Sequence, residues 1–239
     1  MNKPDPAPSF DAAWRRADTI PGWLKPGQGE LLWDEAVRLP RGATVLEIGS
    51  HQGRSTVILG EALRVGGGTV IAVDPFVEGR LFGGLSTREK FEKNIAAAGL
   101  DDVVELVADY STALEPGWDR PFDLLYIDGK HDYWTVTSDL RWRRHLPEGG
   151  GIVIHDCYSS IGVTLAILRH VLFASDIAYE RRSDSQALFR RRRPKLRDRL
   201  RILAELPWWL RNVVVKVFLR LRLRGVARLF GHDSPYDPY

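Results

Sequence analysis

The chain is 239 residues long and has an ordinary globular composition, with 44% hydrophobic and 27% charged residues. That length suffices for one α/β domain with a sizeable core and an appendage. Its single cysteine, Cys157, excludes an intramolecular disulfide framework and a cysteine zinc cluster, and it fits a reducing compartment. Residues 1–9 contain no apolar segment, and no run of about 18 apolar residues follows. We therefore expect a cytoplasmic protein without a secretory signal or a spanning helix.

Charge is distributed unevenly along the chain. The formal net charge is only +3. Residues 1–189 hold 20 basic and 27 acidic side chains, whereas residues 190–228 hold 14 basic and 2 acidic ones. The composition therefore predicts an acidic body and a strongly basic tail.

The order of apolar patterns along the chain predicts a Rossmann-like α/β fold. Residues 1–9, with three prolines, predict a disordered lead, and residues 10–39 show helical spacing interrupted by Pro-Gly pairs, so residues 1–40 precede the main domain. From residue 41 to 190, strand and helix patterns alternate, which predicts a mostly parallel sheet. Helices are predicted at about 55–65, 87–98, 133–145 and 161–173. The predicted strands are Thr44–Ile48, Thr69–Val73, Val103–Val107, Asp123–Ile127 and Ile152–Ile154, followed by an antiparallel hairpin of Ile177–Arg181 and Ala187–Arg190 at the sheet edge.

The segment Thr44–Thr56 has the pattern of a strand, a tight glycine loop and a helix N-terminus. In α/β folds such a unit holds a nucleotide-like ligand at the carboxyl edge of the sheet. Gly49 and Gly53 are separated by three residues, whereas a dinucleotide fingerprint has the spacing G-x-G-x-x-G. Glu47 would repel a pyrophosphate but suits a cationic amino group. The alternative is an ordinary glycine-rich turn between a strand and a helix.

Acidic residues follow the predicted strands at the edge where open α/β sheets bind ligands. Asp74 can accept hydrogen bonds from both ribose hydroxyls of a nucleoside, or it can cap the turn before Pro75. Asp109 can accept from an adenine amino group while Tyr110 stacks on the ring, or it can cap the next helix. Phe76 can pack against the adenosine, although a buried loop aromatic is the simpler alternative.

The loop after the fourth predicted strand carries the candidate catalytic residues. His131 stands three residues past Asp128, so both can face one cavity, and an imidazole can remove a proton near neutral pH. The fifth strand delivers His155 and Asp156 to the neighbouring edge. Two carboxylates and an imidazole there could bind a hard divalent cation, for which Mg²⁺ is the best candidate. The alternative is that the two aspartates only cap helices and orient His131.

These motifs together resemble the class I S-adenosylmethionine (SAM)-dependent methyltransferases, and more narrowly the branch of macrolide-sugar O-methyltransferases and cephalosporin-hydroxylase-like proteins. The resemblance covers roughly residues 22–190. It rests on the ordered motifs Gly22-Trp23-Leu24, Leu46-Glu47-Ile48-Gly49-Ser50, Gly53-Arg54-Ser55-Thr56, Val73-Asp74-Pro75-Phe76, Phe91 with Asn94, Ile127-Asp128-Gly129-Lys130-His131-Asp132-Tyr133, Asp139-Leu140 with Trp142, Leu146-Pro147-Glu148-Gly149-Gly150 and His155-Asp156. It implies a SAM-binding domain over residues 41–190. The implied cofactor site consists of Glu47, Gly49, Ser50, Gly53, Ser55, Thr56, Asp74, Phe76, Asp109, Tyr110 and Asp128.

The resemblance also implies the chemistry. Metal-dependent relatives hold Mg²⁺ on an aspartate after the fourth strand and an acidic or amide pair after the fifth, with a Lys or His base three residues past the first aspartate. Carried over, this gives Asp128 and His131 as catalytic residues and Asp128, His155 and Asp156 as the metal site. His155 departs from the pattern, because imidazole is a poor Mg²⁺ ligand. The implied reaction transfers the SAM methyl group to a hydroxyl of a sugar or another small molecule.

Other functions stay open at this stage. Residues 10–40 and 78–86 are expected to line the acceptor site. One alternative is a non-catalytic membrane-peripheral or scaffold protein on a methyltransferase fold. A second is RNA methylation, which only the basic tail suggests. The acidic body speaks against nucleic acid, because phosphates need a basic track near the site.

Residues 191–239 have the composition of a basic amphipathic tail. Leucines at helical spacing predict a short helix up to residue 206, a break follows at residues 207–209, and residues 213–224 fit helix and strand about equally. The tail can lie on an anionic membrane surface, hold a partner or a second protomer, bind nucleic acid, or cover the domain with solvated arginines. We favour the membrane surface because apolar residues interleave with the charge, and the acceptor would then be a lipid-linked sugar.

Overall fold

The computed structural model describes residues 9–77 and 84–232, and in these residues seven strands form one sheet in the order β3-β2-β1-β4-β5-β7-β6. Strands β1 to β5 pair in parallel, and β7 runs antiparallel to both β5 and β6. The strands are β1 Thr44–Ile48, β2 Thr69–Val73, β3 Val104–Val107, β4 Leu124–Ile127, β5 Gly151–Ile154, β6 Ile177–Ser183 and β7 Gln186–Arg191.

Helices cover both faces of the sheet and continue past its last strand. The α-helices are α1 Phe10–Ala17, α2 Pro26–Val37, α3 Arg54–Arg64, α4 Leu85–Ala98, α5 Ser111–Leu114, α6 Tyr133–Asp139, α7 Ile161–His170, α8 Leu196–Ala204, α9 Leu206–Arg220 and α10 Arg224–Leu229. Two 3₁₀ segments, Glu115–Gly117 and Leu140–His145, follow α5 and α6.

The core lies on both sides of the sheet, because successive residues of a strand point to opposite faces. Val45 and Val70 belong to a buried cluster with residues of α1, α2 and α3. Leu46 and Ile71, their direct neighbours in sequence, belong to a second cluster with residues of α6 and α7. Both faces are therefore covered, and the open carboxyl ends of the strands are left for a ligand.

The predicted Rossmann-like fold is confirmed, as is the antiparallel hairpin, whose strand β6 forms the sheet edge. Strands β1 and β2 have the predicted bounds. The helix predicted over residues 133–145 is α-helical only to Asp139 and continues as a 3₁₀ helix. The predicted disordered lead, apart from residue 9, and residues 78–83 of the predicted acceptor lining lie outside the described residues.

The tail is helical where the sequence left helix and strand equally open. Pro207 lies in the first turn of α9, where its missing N–H leaves no hydrogen bond unmade, so it begins a helix just after α8 ends. None of the helices in the described part of the chain combines the length and apolar character that crossing a bilayer requires.

Candidate active site

A cavity of about 710 Å³ opens at the carboxyl ends of β1, β2 and β4. This is the edge that the sequence predicts for the ligand. Four segments of the chain contribute most of the lining: residues 21–24, 48–55 without Gly53, 73–77 and 128–131. Thr87, Tyr110, Ser111, Thr112, Thr135 and Asp139 complete it.

Gly49 allows the loop after β1 and the loop after β4 to approach each other closely. Its φ is +88°, and a Cβ at this position would lie 2.4 Å from the carbonyl oxygen of Asp128. Its amide donates to the carbonyl of Val73 at 2.8 Å. The loop after β1 therefore touches the loop after β4, and only glycine permits both the conformation and the contact.

Glu47 points into the interior. It is fully buried and accepts hydrogen bonds from the hydroxyls of Ser55 and Thr56, both at 2.5 Å. Burial raises the pKa of Glu47 to about 8, although the two hydroxyls act in the opposite direction. This carboxyl thus joins β1 to the first turn of α3.

Asp74 organises the two loops on either side of it. One carboxylate oxygen accepts from the amide of His51 at 2.9 Å, and the other accepts from the amide of Phe76 at 2.8 Å. Each carboxylate oxygen can accept a further bond, so Asp74 can still accept from a ligand in the cavity. Phe76 lines the cavity and packs edge-on against Phe91, with ring centroids 6.0 Å apart.

Tyr110 and Asp109 differ in their relation to the cavity. Tyr110 lines it with a half-exposed ring. Asp109 is exposed, accepts from the amide of Tyr110 at 2.7 Å, and does not line the cavity. Asp109 does not cap α5 either, because the N-cap of that helix is Tyr110 and no side chain caps it. The contact of Asp109 with a ligand stays a prediction.

A buried carboxylate that the sequence reasoning missed lies near Tyr110. Asp139 accepts from the Ser111 hydroxyl at 2.6 Å, and its second oxygen has no hydrogen-bond partner. Burial raises the pKa of Asp139 to about 6. Both residues line the cavity, so the unpartnered oxygen is available to a ligand donor. The sequence analysis includes Asp139 among the motifs of the resemblance but assigns it no role at the site.

His131 lies between two carboxylates. Its Nδ1 is 3.0 Å from Asp156 Oδ2, and its Nε2 is 3.4 Å from Asp128 Oδ1. Burial alone would lower the pKa of His131, but the two carboxylates raise it to about 10. Both carboxylates thus favour the charged imidazolium, so the ring must lose its contact with one of them before it can accept a proton.

The loop that carries His131 is fixed from behind by α7. A Cβ at Gly162 would lie 2.3 Å from the carbonyl oxygen of His131, and the Ser160 hydroxyl donates to the same oxygen at 3.2 Å. The backbone that carries the imidazole is therefore packed against the start of α7.

His155 and Asp156 are buried next to His131 and Asp128 and do not line the cavity. His155 Nδ1 is 3.1 Å from Asp128 Oδ1, yet neither ring nitrogen forms a well-directed hydrogen bond. Asp156 accepts from the hydroxyls of Ser159 and Ser185. Burial alone would raise the pKa values of Asp128 and Asp156, but the neighbouring histidines lower both.

The donor set fits Mg²⁺ poorly. The atoms that come within 4.8 Å of one another belong to Asp128, His131 and His155, which are one carboxylate and two imidazoles. Mg²⁺ prefers oxygen donors, whereas imidazole suits transition metals. The oxygens of Asp156 are already engaged by His131 and two serines.

The structure brings only part of the predicted site to the cavity. Gly49, Ser50, Ser55, Asp74, Phe76, Tyr110, Asp128 and His131 line it, whereas Glu47, Gly53, Thr56, Asp109, His155 and Asp156 do not. Thr56 faces Glu47, and Gly53 packs against Phe91. The sequence reasoning missed His51 and Thr135 in addition to Ser111 and Asp139.

Comparisons with known proteins agree with this fold. A family model described as "Methyltransferase domain" matches residues 46–157. The fold is similar to that of the cofactor-bound Rv0187 from MTB, with 22% identity, a TM-score of 0.60, and coverage of 77% of this chain and 89% of that one. It is similar to the O-methyltransferase TomG from Streptomyces achromogenes in complex with SAM, with 21% identity, a TM-score of 0.58, and coverage of 80% and 92%. The O-methyltransferase from Bacillus cereus in complex with SAH matches at 19% identity and a TM-score of 0.55, with coverage of 76% and 90%.

Residues 46–157 thus match a methyltransferase domain, and the strand order and glycine loop are those of a Rossmann-like methyltransferase fold.

Proposed function

We propose that the chain transfers the methyl group of SAM to a hydroxyl of a small molecule bound beside His131. The observation that carries the proposal is one cavity lined by the glycine loop, by Asp74 and by the Asp128–His131 pair. The first two are suited to a nucleoside cofactor and the third to a group that must lose a proton. The O-methyltransferase neighbours support the hydroxyl as acceptor.

In this proposal the glycine loop and its neighbours would hold the cofactor. Asp74 would accept from the ribose hydroxyls, the Tyr110 ring would stack on the adenine, and Gly49 and Ser50 would border the methionine part. Ser50 Oγ supports the last assignment, because it lines the cavity and has no hydrogen-bond partner. Glu47 would act from beneath the glycine loop. The positive charge of a cofactor group bound on that loop would favour the ionised form of its carboxyl. Direct contacts of Gly53, Thr56 and Asp109 with the cofactor remain predictions from the resemblance.

Bound SAM would supply the methyl group by in-line displacement, in which the new O–CH3 bond replaces the S–CH3 bond and S-adenosylhomocysteine leaves, and the acceptor oxygen would have to lose its proton. His131 is proposed as the base through Nε2, since its contact with Asp128 at 3.4 Å is the longer one and an acceptor hydroxyl can replace it. Nδ1 stays with Asp156 at 3.0 Å. The buried Asp156 would thereby orient the ring, as the carboxylate does in other carboxylate–histidine pairs. Asp128 would orient the acceptor hydroxyl.

The proposal can be tested by single substitutions. His131→Ala should reduce turnover by roughly 10²- to 10⁴-fold, the usual range for a general base, with unchanged affinity for S-adenosylhomocysteine. Asp156→Asn should also slow turnover, because it removes the carboxylate that orients the ring. His170→Ala is the matched control, since His170 contacts Tyr133 outside the cavity. Full turnover by the His131 variant on the true acceptor would exclude it as the base.

We propose a sugar or a sugar-like ring as the acceptor. Trp23 supports this, because it lines the cavity mouth, is 60% exposed and has its ring centroid 5.5 Å from that of His51. An exposed aromatic face can pack on the apolar face of a sugar ring. Trp23→Ala should raise KM for the acceptor while leaving S-adenosylhomocysteine affinity unchanged. A panel of glycosylated and unglycosylated alcohols, read by product mass, tests the acceptor class, and a lipid-linked sugar belongs in that panel.

Mg²⁺ at Asp128, His155 and Asp156 remains a prediction of the resemblance, and the imidazole-rich donor set speaks against it. The reaction above therefore uses no metal. A homo-oligomer likewise remains a prediction, which sedimentation analysis can test. The non-catalytic alternative predicts binding of SAM without any methylated product, and RNA methylation predicts a labelled RNA product.

A further inference from the structure

Helix α8 exposes its leucines. Asp198 and Ile202, one turn apart, face the sheet and are buried. Leu196, Leu200 and Leu203 recur at the i, i+4 and i+7 positions and are 73%, 54% and 42% exposed. A surface helix normally turns its apolar stripe towards the core, and α8 does the opposite. The apolar stripe is therefore left without a partner within the described chain.

Cations flank this stripe. Arg193, Arg197 and Arg201 are exposed, and we call these three arginines with the three leucines the α8 face. The acids between residues 190 and 232 are Asp198 and Glu205. Asp198 is buried and pairs with Arg192 at 2.8 Å and more loosely with Arg197 at 3.8 Å, and Glu205 is bound by Tyr179 and Arg182. The α8 face consequently presents positive charge and apolar surface with no exposed carboxylate of its own segment.

The turn between α9 and α10 repeats the same chemistry. Leu221 and Leu223 are exposed and alternate with Arg220, Arg222 and Arg224. The guanidinium groups of these three arginines have no ion-pair or hydrogen-bond partner within residues 9–77 and 84–232. This turn therefore also joins exposed leucines to cations that no described carboxylate neutralises.

We propose that the α8 face binds the surface of an anionic lipid bilayer. Leucines on one side of a helix can enter the boundary between headgroups and acyl chains, while flanking arginines meet lipid phosphates. A nucleic acid would use the arginines but leave the leucines in water. A symmetric contact with a second copy would place the same arginines against each other. The inference does not depend on the methyl-transfer chemistry.

Co-sedimentation of the full chain with vesicles tests the proposal. Vesicles of phosphatidylserine in phosphatidylcholine should bind the wild type, and vesicles of phosphatidylcholine alone should bind it weakly. The triple variant Arg193→Gln, Arg197→Gln and Arg201→Gln should bind the anionic vesicles roughly 100-fold more weakly, since each cation near such a surface contributes about a factor of five. Leu196→Ser, Leu200→Ser and Leu203→Ser combined should also weaken binding, by roughly tenfold or more.

A matched control removes the same charge elsewhere. Arg15, Arg41 and Lys93 are exposed on the body of the domain, and replacing all three by Gln should change vesicle binding by less than about threefold. Because all the substituted side chains are exposed, the thermal midpoints of the variants should stay near that of the wild type. Wild-type binding that is equal on both vesicle types, or unaffected by either tail variant, would overturn the proposal. Two other results would also overturn it. One is that the wild type binds an oligonucleotide but no vesicles, and that only the arginine variant loses this binding. The other is that the chain forms a dimer without lipid and that the leucine variant does not.

Discussion

The substitution Gly49→Ala tests the close approach of the two central loops. The alanine Cβ would lie 2.4 Å from the Asp128 carbonyl oxygen, 2.6 Å from its carbonyl carbon and 2.7 Å from the Gly129 Cα. All three are backbone atoms, so no side-chain rotation relieves the contact. The φ of +88° adds the strain of a left-handed conformation, about 1–2 kcal/mol. Overpacking adds typically about 1–3 kcal/mol.

Gly42→Ala is the matched control. Gly42 also has a positive φ, +73°, but an added Cβ meets nothing within 4 Å. This variant has the backbone strain alone, and the reduced freedom of the unfolded chain offsets part of it. We expect a loss of stability of about 1 kcal/mol or less for Gly42→Ala and of roughly 2–5 kcal/mol for Gly49→Ala.

Urea unfolding and titration with S-adenosylhomocysteine measure the two effects. Gly49→Ala should lower the urea midpoint more than Gly42→Ala, and it alone should weaken ligand binding, because the loops that line the cavity must separate. Equal midpoints and equal affinities in the two variants would refute the claim that this contact shapes the cavity.

Three further predictions concern buried or charged groups of the site. Because the pKa of Glu47 is raised from 4.5 to about 8, its contribution to stability is complete below pH 4.5 and is lost as the pH rises towards 8. As the pH rises between these values, Glu47→Gln should therefore become more stable relative to the wild type, by at most roughly 1.4 kcal/mol per pH unit. If the urea midpoints of the two proteins changed in parallel with pH, the raised pKa of Glu47 would be contradicted. Asp139→Asn should keep the hydrogen bond from Ser111 and an unchanged thermal midpoint. It should bind S-adenosylhomocysteine about tenfold more weakly, because one hydrogen bond to a charged acceptor is lost. Unchanged affinity by calorimetry would show that the free oxygen meets no ligand donor. Dialysis against a chelator should leave turnover unchanged, because the donor set suits Mg²⁺ poorly, and loss of turnover that Mg²⁺ alone restores would contradict this prediction.

The sequence predicts the sheet well where local pattern and tertiary environment agree. β1 and β2 are mostly apolar runs that Gly49 and Asp74 follow, so their bounds can be predicted from local composition. Parallel strands place their ends at one edge, and this rule brings Asp74 and Asp128 to the cavity as predicted.

Side-chain direction limits the prediction of the site. Spacing from Gly49 suggests that Glu47 faces the ligand, but the alternation of the strand turns its side chain towards Ser55 and Thr56. Asp139 meets Ser111 across 28 positions of sequence, a contact that no local pattern encodes.

The tail shows a related limit. Helical periodicity correctly groups Leu196, Leu200 and Leu203 on one face, yet it contains no information about which face the domain covers. In the structure Asp198 and Ile202 take the covered side, since Asp198 pairs there with Arg192.

Calorimetric titration of the full chain with S-adenosylhomocysteine, for the wild type and for Asp74→Ala, tests the central claim most directly. If the cavity at the ends of β1, β2 and β4 holds the cofactor, the wild type binds one equivalent and the variant binds much more weakly. Absence of binding by the wild type at millimolar ligand, or equal affinity in both proteins, would contradict the account.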